Sequence, residues 1–420
     1  MREGEPSPTS HPDRDLRVAD DRRSLAVTFA GFCAFLGLYA TQPILPMLEH
    51  LFHASKATVS LTLTASTLGV AMAAPLVGSM ADRLGRKRVI VVSASLLALA
   101  TLLNATATGL PALIFWRFLQ GVFTPGVFAV TVAYVQEEWA DGGAGRAMAM
   151  YVTGSVIGGF TGRMTTGLMV SHWNWHGSFV VIGLMGGASA LLLQAWLPEE
   201  RKFRSRVEGE SPFSGVASHL RNPRLRAAFA VGFGVLFSMV ACFTYVTFHL
   251  AGAPFHLSPL ALGALFFTYL FGAVVTPSAG RIIDHYGHRT ATVLAMGTGV
   301  AGMLLTLMPS LWLVVAGLAL CCTGVFVAQA ATASYLGVAA RHNKALAVGL
   351  YVTFYYLGGC LGGELPGYLW RFGGWPACVA LVILVQLLTI ATTLFGCTDP
   401  AQDGRPFSER EPVLEAAGFE

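Results

Sequence analysis

The chain has 420 residues, 54% of them hydrophobic and only 12% charged, with a formal net charge of +4. Soluble domains carry about 25% charged residues, so this composition excludes an ordinary water-soluble domain and points to lipid as the solvent. It also excludes a disulfide-stapled scaffold: the seven cysteines (33, 242, 321, 322, 360, 378 and 397) form no CxxC pair and sit in or beside apolar runs, where they read as small packing residues.

Residues 1–23 are charged and contain proline, and read as a disordered cytoplasmic tail. Twelve apolar runs follow, near 24–47, 57–78, 89–108, 111–136, 146–170, 178–197, 227–250, 259–279, 290–308, 310–335, 345–368 and 376–396. Each is long enough to cross ~30 Å of hydrocarbon as a helix. No small-residue cleavage site follows the first run, so it reads as an uncleaved span rather than a signal peptide. The polar stretch 198–226 holds seven arginines and lysines and divides the runs six and six. It is the expected cytoplasmic linker between an N-terminal bundle (24–197) and a C-terminal bundle (227–397). Residues 398–420 form a polar tail. With the N-terminus inside, 23 of the 27 Lys and Arg lie on the cytoplasmic side; Lys56 and Arg371 fall in outer loops, and Arg117 and Arg163 inside helices. That bias predicts both termini in the cytoplasm. The basic clusters flank helix ends, which argues against nucleic-acid binding.

The first run carries Tyr39-Ala-Thr-Gln42-Pro43-Ile-Leu-Pro46. Its two prolines can kink the outer end, and Gln42 is expected to face a cavity. After the second run comes Gly78-Ser-Met-Ala-Asp82-Arg83-Leu-Gly85-Arg86-Lys87-Arg88, repeated 202 positions later as Gly280-Arg-Ile-Ile-Asp284-His285-Tyr-Gly287-His288-Arg289. Gly85 and Gly287 allow a tight turn, and Gly78 and Gly280 close backbone approach. Asp82 and Asp284 can face a neighbouring helix N-terminus or a base. Arg83, Arg86, Lys87 and Arg88 can pair with carboxylates, Glu137 and Glu138 among them, or serve only as topology anchors.

Trp116-Arg117-Phe-Leu-Gln120-Gly121 puts a cation inside the fourth run, at a cost of ~2.5–3.5 kcal/mol at the bilayer centre. Arg117 either faces the bundle interior or snorkels to the outer interface. In the fifth run Gly154, Gly158 and Gly162 recur every four residues and make a packing face; Arg163 follows directly. Gly158, Gly159, Gly162, Gly167 and Trp175 recur 200 positions later as Gly358, Gly359, Gly362, Gly367 and Trp375. Apart from the loop-end aspartates, Glu364 is the one acid found within the runs, toward the outer end of the eleventh. Tyr39, Phe123, Tyr151, Tyr245, Tyr269, Phe354 and Tyr355 are the expected cavity wall. The His50/His53 and His172/His176 pairs lack a compact ligand set, so no metal or cofactor is expected.

The repeated loop in two hydrophobic halves resembles the loop motif of the major facilitator superfamily of transporters. The resemblance implies an all-α membrane protein of twelve transmembrane helices in two pseudo-symmetric six-helix bundles, with the loops as a state-dependent latch. His288 departs from the loop pattern by replacing a strong base. Arg117-x-x-Gln120-Gly121 is similar to the proton-antiporter motif and implies a part in proton coupling. The glycines of the fifth run resemble the exporter motif, although Gly159 stands where that motif has Pro and Arg163 where it has Gly. Gln42-Pro43-x-x-Pro46, Arg163 and Tyr355-Tyr356-Leu-Gly358 together resemble the YnfM-type inner-membrane proteins, associated with acriflavine sensitivity. The implied function is proton-driven efflux of small amphipathic or toxic compounds by a monomer in the bacterial inner membrane. The alternative is a uniporter or exchanger of a small, anionic metabolite. No catalytic constellation or phosphate loop supports an enzyme or an ATP-driven pump.

Overall fold

The computed structural model describes residues 12–139, 143–200, 215–340 and 344–397, with side chains described from residue 22 onward except at 273–274, 276–282, 284 and 344–345. The described residues form α-helices and short 3-10 turns, with no strand among them. In chain order these are α1 (Pro12–Leu36), a 3-10 turn at Gln42–Ile44, α2 (Leu45–Leu51), α3 (Lys56–Leu84), α4 (Arg86–Asn104), α5 (Leu110–Glu138), α6 (Ala144–His172) and α7 (Trp175–Trp196). The second half holds α8 (Val216–Arg221), α9 (Pro223–Ala251), α10 (Pro259–Ala264), a 3-10 turn at Leu265–Phe267, α11 (Thr268–Leu305), α12 (Leu311–Ala339) and α13 (Lys344–Gly396). Helices satisfy every backbone polar group within the segment, as hydrocarbon demands.

Twelve spans are distributed over these helices. α11 carries the eighth and ninth, joined at Gly287, whose φ is 80°. α13 carries the eleventh and twelfth, joined at Gly373–Gly374, with φ of 59° at Gly374. The first span is α1, the turn after it and α2. Seven of the described helices are long and apolar enough alone to cross a membrane, α13 counting once for its two spans. The other spans are the broken first, the glycine-rich fifth and the two within α11. The fold is therefore an all-α membrane fold of two six-helix bundles.

One expectation is corrected at the N-terminus. Helix α1 begins at Pro12, so residues 12–23 of the predicted tail are helical. Residues 1–11, most of the linker (201–214) and the C-terminal tail lie outside the described residues.

The glycine repeat is a pair of backbone seams. In the first bundle, Gly154, Gly158 and Gly162 of α6 press on the carbonyls of Thr28, Phe32 and Leu36 in α1. In the second, Gly358 and Gly362 of α13 press on the carbonyls of Phe233 and Phe237 in α9. No side chain fits between these helices, so dispersion acts backbone against backbone. The pseudo-symmetry extends to the contacts between bundles. Gly167 of α6 meets Pro259 at the start of α10, and Gly367 of α13 meets Ala57 at the start of α3.

The bundles touch along α3–α13 and α6–α10. Thr67 Oγ1 lies 3.3 Å from Cys360 Sγ, Thr353 Oγ1 donates to the Ala71 carbonyl at 3.4 Å, and Phe160 and Phe267 stack at 4.3 Å. These contacts occupy the middle of the spans and the end opposite the repeated loops, here the far end. Toward the loop end, Gly78 of α3, Gly349 of α13 and Gly145 of α6 face open space. Among the described residues, the contacts between the halves thus lie at the middle and far end. Gly78 was expected to permit close backbone approach, and no described neighbour lies within 4 Å of a Cβ built there.

The seams make a direct prediction. A methyl at Gly162 or Gly362 runs into a backbone carbonyl that cannot move aside, so Gly162→Ala and Gly362→Ala each lose about 1–3 kcal/mol through overpacking, and the Leu variants more. Gly187→Ala, where a Cβ meets nothing within 4 Å, stays at the parental midpoint in thermal unfolding of the purified protein.

Candidate functional site

Two polar centres lie inside the apolar bundles. The first is Arg117 of α5, fully buried. Its Nε donates to the Thr62 carbonyl at 3.0 Å, Nη1 to the Gly37 carbonyl at 2.7 Å and to Gln120 Oε1, and Nη2 to the Leu38 carbonyl. Gln120 Nε2 donates in turn to Thr101 Oγ1 at 2.8 Å. The burial removes the snorkelling reading. Arg117 is a staple: α1 ends at Leu36, and the guanidinium takes up carbonyls set free where the first span breaks. Glu364 makes no hydrogen bond or ion pair with it among the described residues. Glu364 sits half-buried on α13, with Oε2 buried and without a hydrogen-bond partner among the described residues.

The second centre is Arg163 of α6, 2% exposed and lying between the bundles. Nε donates to Gln42 Oε1 at 2.8 Å and Nη1 to the Gly159 carbonyl at 2.7 Å. Three rings surround the guanidinium carbon: Phe266 at 4.5 Å, Tyr269 at 4.8 Å and Tyr39 at 4.9 Å. Gln42 and Tyr39 come from the break in the first span, and Phe266 from a 3-10 turn within the eighth, where the backbone stays helical. Gln42 Nε2 continues across the interface to Thr244 Oγ1 of α9 at 3.2 Å. Beside this cluster, Tyr355 donates to Gln329 Oε1 at 2.9 Å, and Tyr356 and Phe128 meet across the bundles at 6.0 Å.

Other predicted wall residues lie elsewhere. Phe123 packs in the core of the first bundle, Tyr151 with Val27, Val135 and Ala147, and Phe354 stacks on Phe229 at 5.4 Å. Tyr245 is buried within the second bundle and donates to the Gly363 carbonyl at 2.8 Å. An aromatic in a nearly all-apolar helix carries no directional signal, which is why the sequence could not separate these from Tyr39 and Tyr269.

At the loop end, Gly85 has a φ of 91° and ends α3, as the turn requires. Arg86 Nη2 lies 2.8 Å from Asp82 Oδ1 and 2.6 Å from Glu137 Oε1, while Nε donates to Glu137 Oε2 at 2.8 Å. Glu200, just after α7, accepts from the backbone N–H groups of Arg86 and Lys87 at 2.9 and 3.2 Å. A carboxylate at the N-terminus of α4 meets both the free donors and the helix dipole. Arg83 is exposed and has no partner among the described residues. In the second loop, Gly287 repeats the positive φ, and His288 Nε2 faces Ser334 Oγ at 3.0 Å where the first loop has an ion pair. The surroundings of Gly280 and the side chain of Asp284 lie outside what is described.

Sequence reasoning missed a cluster at the far end. Lys56 pairs with Glu49 at 2.5 Å, and its ammonium lies over Phe248 at 5.2 Å and Trp370 at 5.4 Å. The acid and base come from one bundle and the rings from the other, so this cation–π clamp crosses the interface. Glu200, Phe266 and Thr244 were also missed; their partners are far away in sequence. Among the described residues no group of His, Cys, Asp and Glu is placed to hold a metal.

Two related bundles with a polar centre between them, at the break in the first span, have the architecture of a membrane transport protein. The chain belongs to the Major Facilitator Superfamily, whose sequence pattern matches residues 27–363 and 246–417. It is 35% identical over 371 residues to the inner membrane transport protein YnfM of Escherichia coli, covering 87% of this chain and 89% of that one. It is 28% identical over 177 residues to the chloramphenicol resistance protein CraA of Acinetobacter baumannii, covering 42% and 43% of the two chains. The crystal structure of a mutant form of the nucleoside transporter NupG superposes with a TM-score of 0.72 at 13% identity, covering 88% of this chain and 98% of that one.

Both centres can be tested by substitution. Arg117→Ala leaves the Leu38 carbonyl at the break without its donor, at about 1–3 kcal/mol for the buried group orphaned, while the Gly37 carbonyl keeps the Ala40 N–H. Arg117→Lys fares little better, because an ammonium cannot span the four acceptors that the planar fork reaches; thermal unfolding midpoints of both variants check this. At the loops, Asp82→Asn reduces transport per surface copy severely and Asp284→Asn mildly, since the second loop lacks the arginine. Full activity in Asp82→Asn ends the argument for a latch.

Proposed function

We propose that the chain exports small amphipathic or toxic compounds in exchange for protons, with the substrate held at Arg163 between the bundles. The observation that carries this reading is the meeting, on a buried cation, of the break in the first span with aromatic rings from the eighth span of the other bundle. Discontinuous helices at the repeat interface are where transporters of this architecture place their substrate. The positive-inside bias makes the loop end cytoplasmic, which is the side from which an exporter loads. The partial likeness to a chloramphenicol resistance protein supports the direction. On this reading the domain limits are 24–197 and 227–397, the termini are cytoplasmic, the protein acts as a monomer in the inner membrane, and its partners are the substrate, protons and lipid.

Glu364 is the proposed proton carrier, being the acid found inside the spans. Arg117 cannot release a proton near neutral pH, and its bonds make it a structural support for the path rather than a carrier. A second reading is uniport or exchange of a small anionic metabolite. It is favoured by two buried arginines, Arg117 and Arg163, against a single acid, Glu364, in the spans away from the ends that carry Glu49, Asp82, Asp284, Glu137 and Glu138.

The test is transport in everted vesicles under an imposed pH gradient, with cationic, neutral and anionic compounds. Glu364→Gln is expected to lose gradient-driven accumulation while keeping counterflow, and Arg163→Ala to lose both. If Glu364→Gln and Arg117→Ala both keep full gradient-driven transport, proton antiport is wrong and the exchanger reading stands.

A further inference from the structure

The chemistry of the substrate is written in what Arg163 lacks, given the reading that its cluster is the substrate site. The ion pairs among the described residues are Lys56–Glu49, Arg86–Asp82 and Arg86–Glu137, so Arg163 has no carboxylate among them. A guanidinium has five N–H donors. Arg163 places one on Gln42 and one on Gly159, and Nη2 finds no acceptor among the described residues. Arg117, equally buried, is met by three backbone carbonyls and an amide. A buried cation is costly unless it is paired. The three rings offset part of that cost through their faces, and they leave the edge of the fork without an anion.

We propose that this edge receives the carboxylate of the substrate, and that the substrate class is aryl or arylalkyl monocarboxylates. Arg recognises a carboxylate through two parallel N–H···O bonds. A molecule that makes them here lays its body among Tyr39, Phe266 and Tyr269, which suits an aromatic or apolar group and leaves a bare inorganic anion unfilled on one side. An amine meets a like charge and no acid.

Gln42 Oε1 occupies the place the carboxylate would take, and the amide's other end holds Thr244 of the opposite bundle. A carboxylate that displaces Gln42 therefore also releases one of the bonds that close the far end. Recognition and opening are joined through a single side chain.

The experiment measures thermal stabilisation of the purified full-length protein by benzoate, cinnamate and 2-naphthoate, with their primary amides and the matching arylmethylamines as controls. Acids, and not amides or amines, are expected to raise the midpoint saturably. Arg163→Gln should weaken the acids at least tenfold. Gln42→Glu should do the same, because its own carboxylate fills the fork. Gln42→Ala removes the internal competitor without adding charge and should bind acids as well as or better than the parent; it decides the matter if Gln42→Glu does not fold. Equal binding of amides or amines, no binding of any acid, or acid binding indifferent to Arg163→Gln overturns the inference. If amides or amines bind and Arg163→Gln abolishes their binding, the site reading survives and only the anion class fails. If no probe responds to Arg163→Gln, the site reading fails with it.

Discussion

The break in the first span depends on Arg117. A helix crossing hydrocarbon can stop and restart only if the carbonyls released at the break find donors inside the protein. Arg117 supplies those donors to Gly37 and Leu38 while also holding Thr62 of α3 and Gln120 of its own helix. The first span is thereby fixed against two neighbours at the point where it turns. The next residues, Tyr39 and Gln42, are presented to the interface in consequence. The cation that resembles a proton-coupling element is thus, in its geometry, a support of the polar centre at Arg163.

The duplication supplies the frame, and its exceptions supply the chemistry. Both bundles keep the glycine seam, the glycine that meets the opposing helix start, and the tight-turn glycine of the loop. Where the two differ, polar groups concentrate. The position of Arg163 in the first half is Gly363 in the second, one residue before Glu364, and Gln42 bonds Thr244 of the span that corresponds to its own. A symmetric scaffold can rock about its own axis; an asymmetric centre decides what it carries.

Much of this was legible in the sequence because hydropathy and spacing are local signals. The spans, the paired loops, the seam glycines and both buried arginines are of that kind. The 3-10 turn within the eighth span was not legible, since Leu265-Phe266-Phe267 holds neither proline nor glycine. Lys56 read as an outer-loop base because Phe248 and Trp370 lie far along the chain, in the other half. Which aromatics surround Arg163 was not legible for the same reason: position along a helix is local, whereas the face a ring presents is decided by neighbours from other spans.

The two ends of the molecule are held by unlike forces. At the loop end, Asp82, Arg86, Glu137 and Glu200 all belong to the first half, so this ionic network stiffens one bundle and does not tie the two together in this conformation. At the far end the bonds between bundles are neutral or weak: Gln42 to Thr244, Thr67 to Cys360, and Lys56 over two rings. Exposed cation–π contacts contribute about 0.5–1 kcal/mol each, and a neutral hydrogen bond about 0.5–1.5 kcal/mol net. Shifting a two-state equilibrium from 1:99 to 99:1 takes ~5.5 kcal/mol. A handful of such bonds is of that order, so closure of the far end is within reach of what one well-placed ligand can offset. A single strong ion pair across the same interface would have put it out of reach.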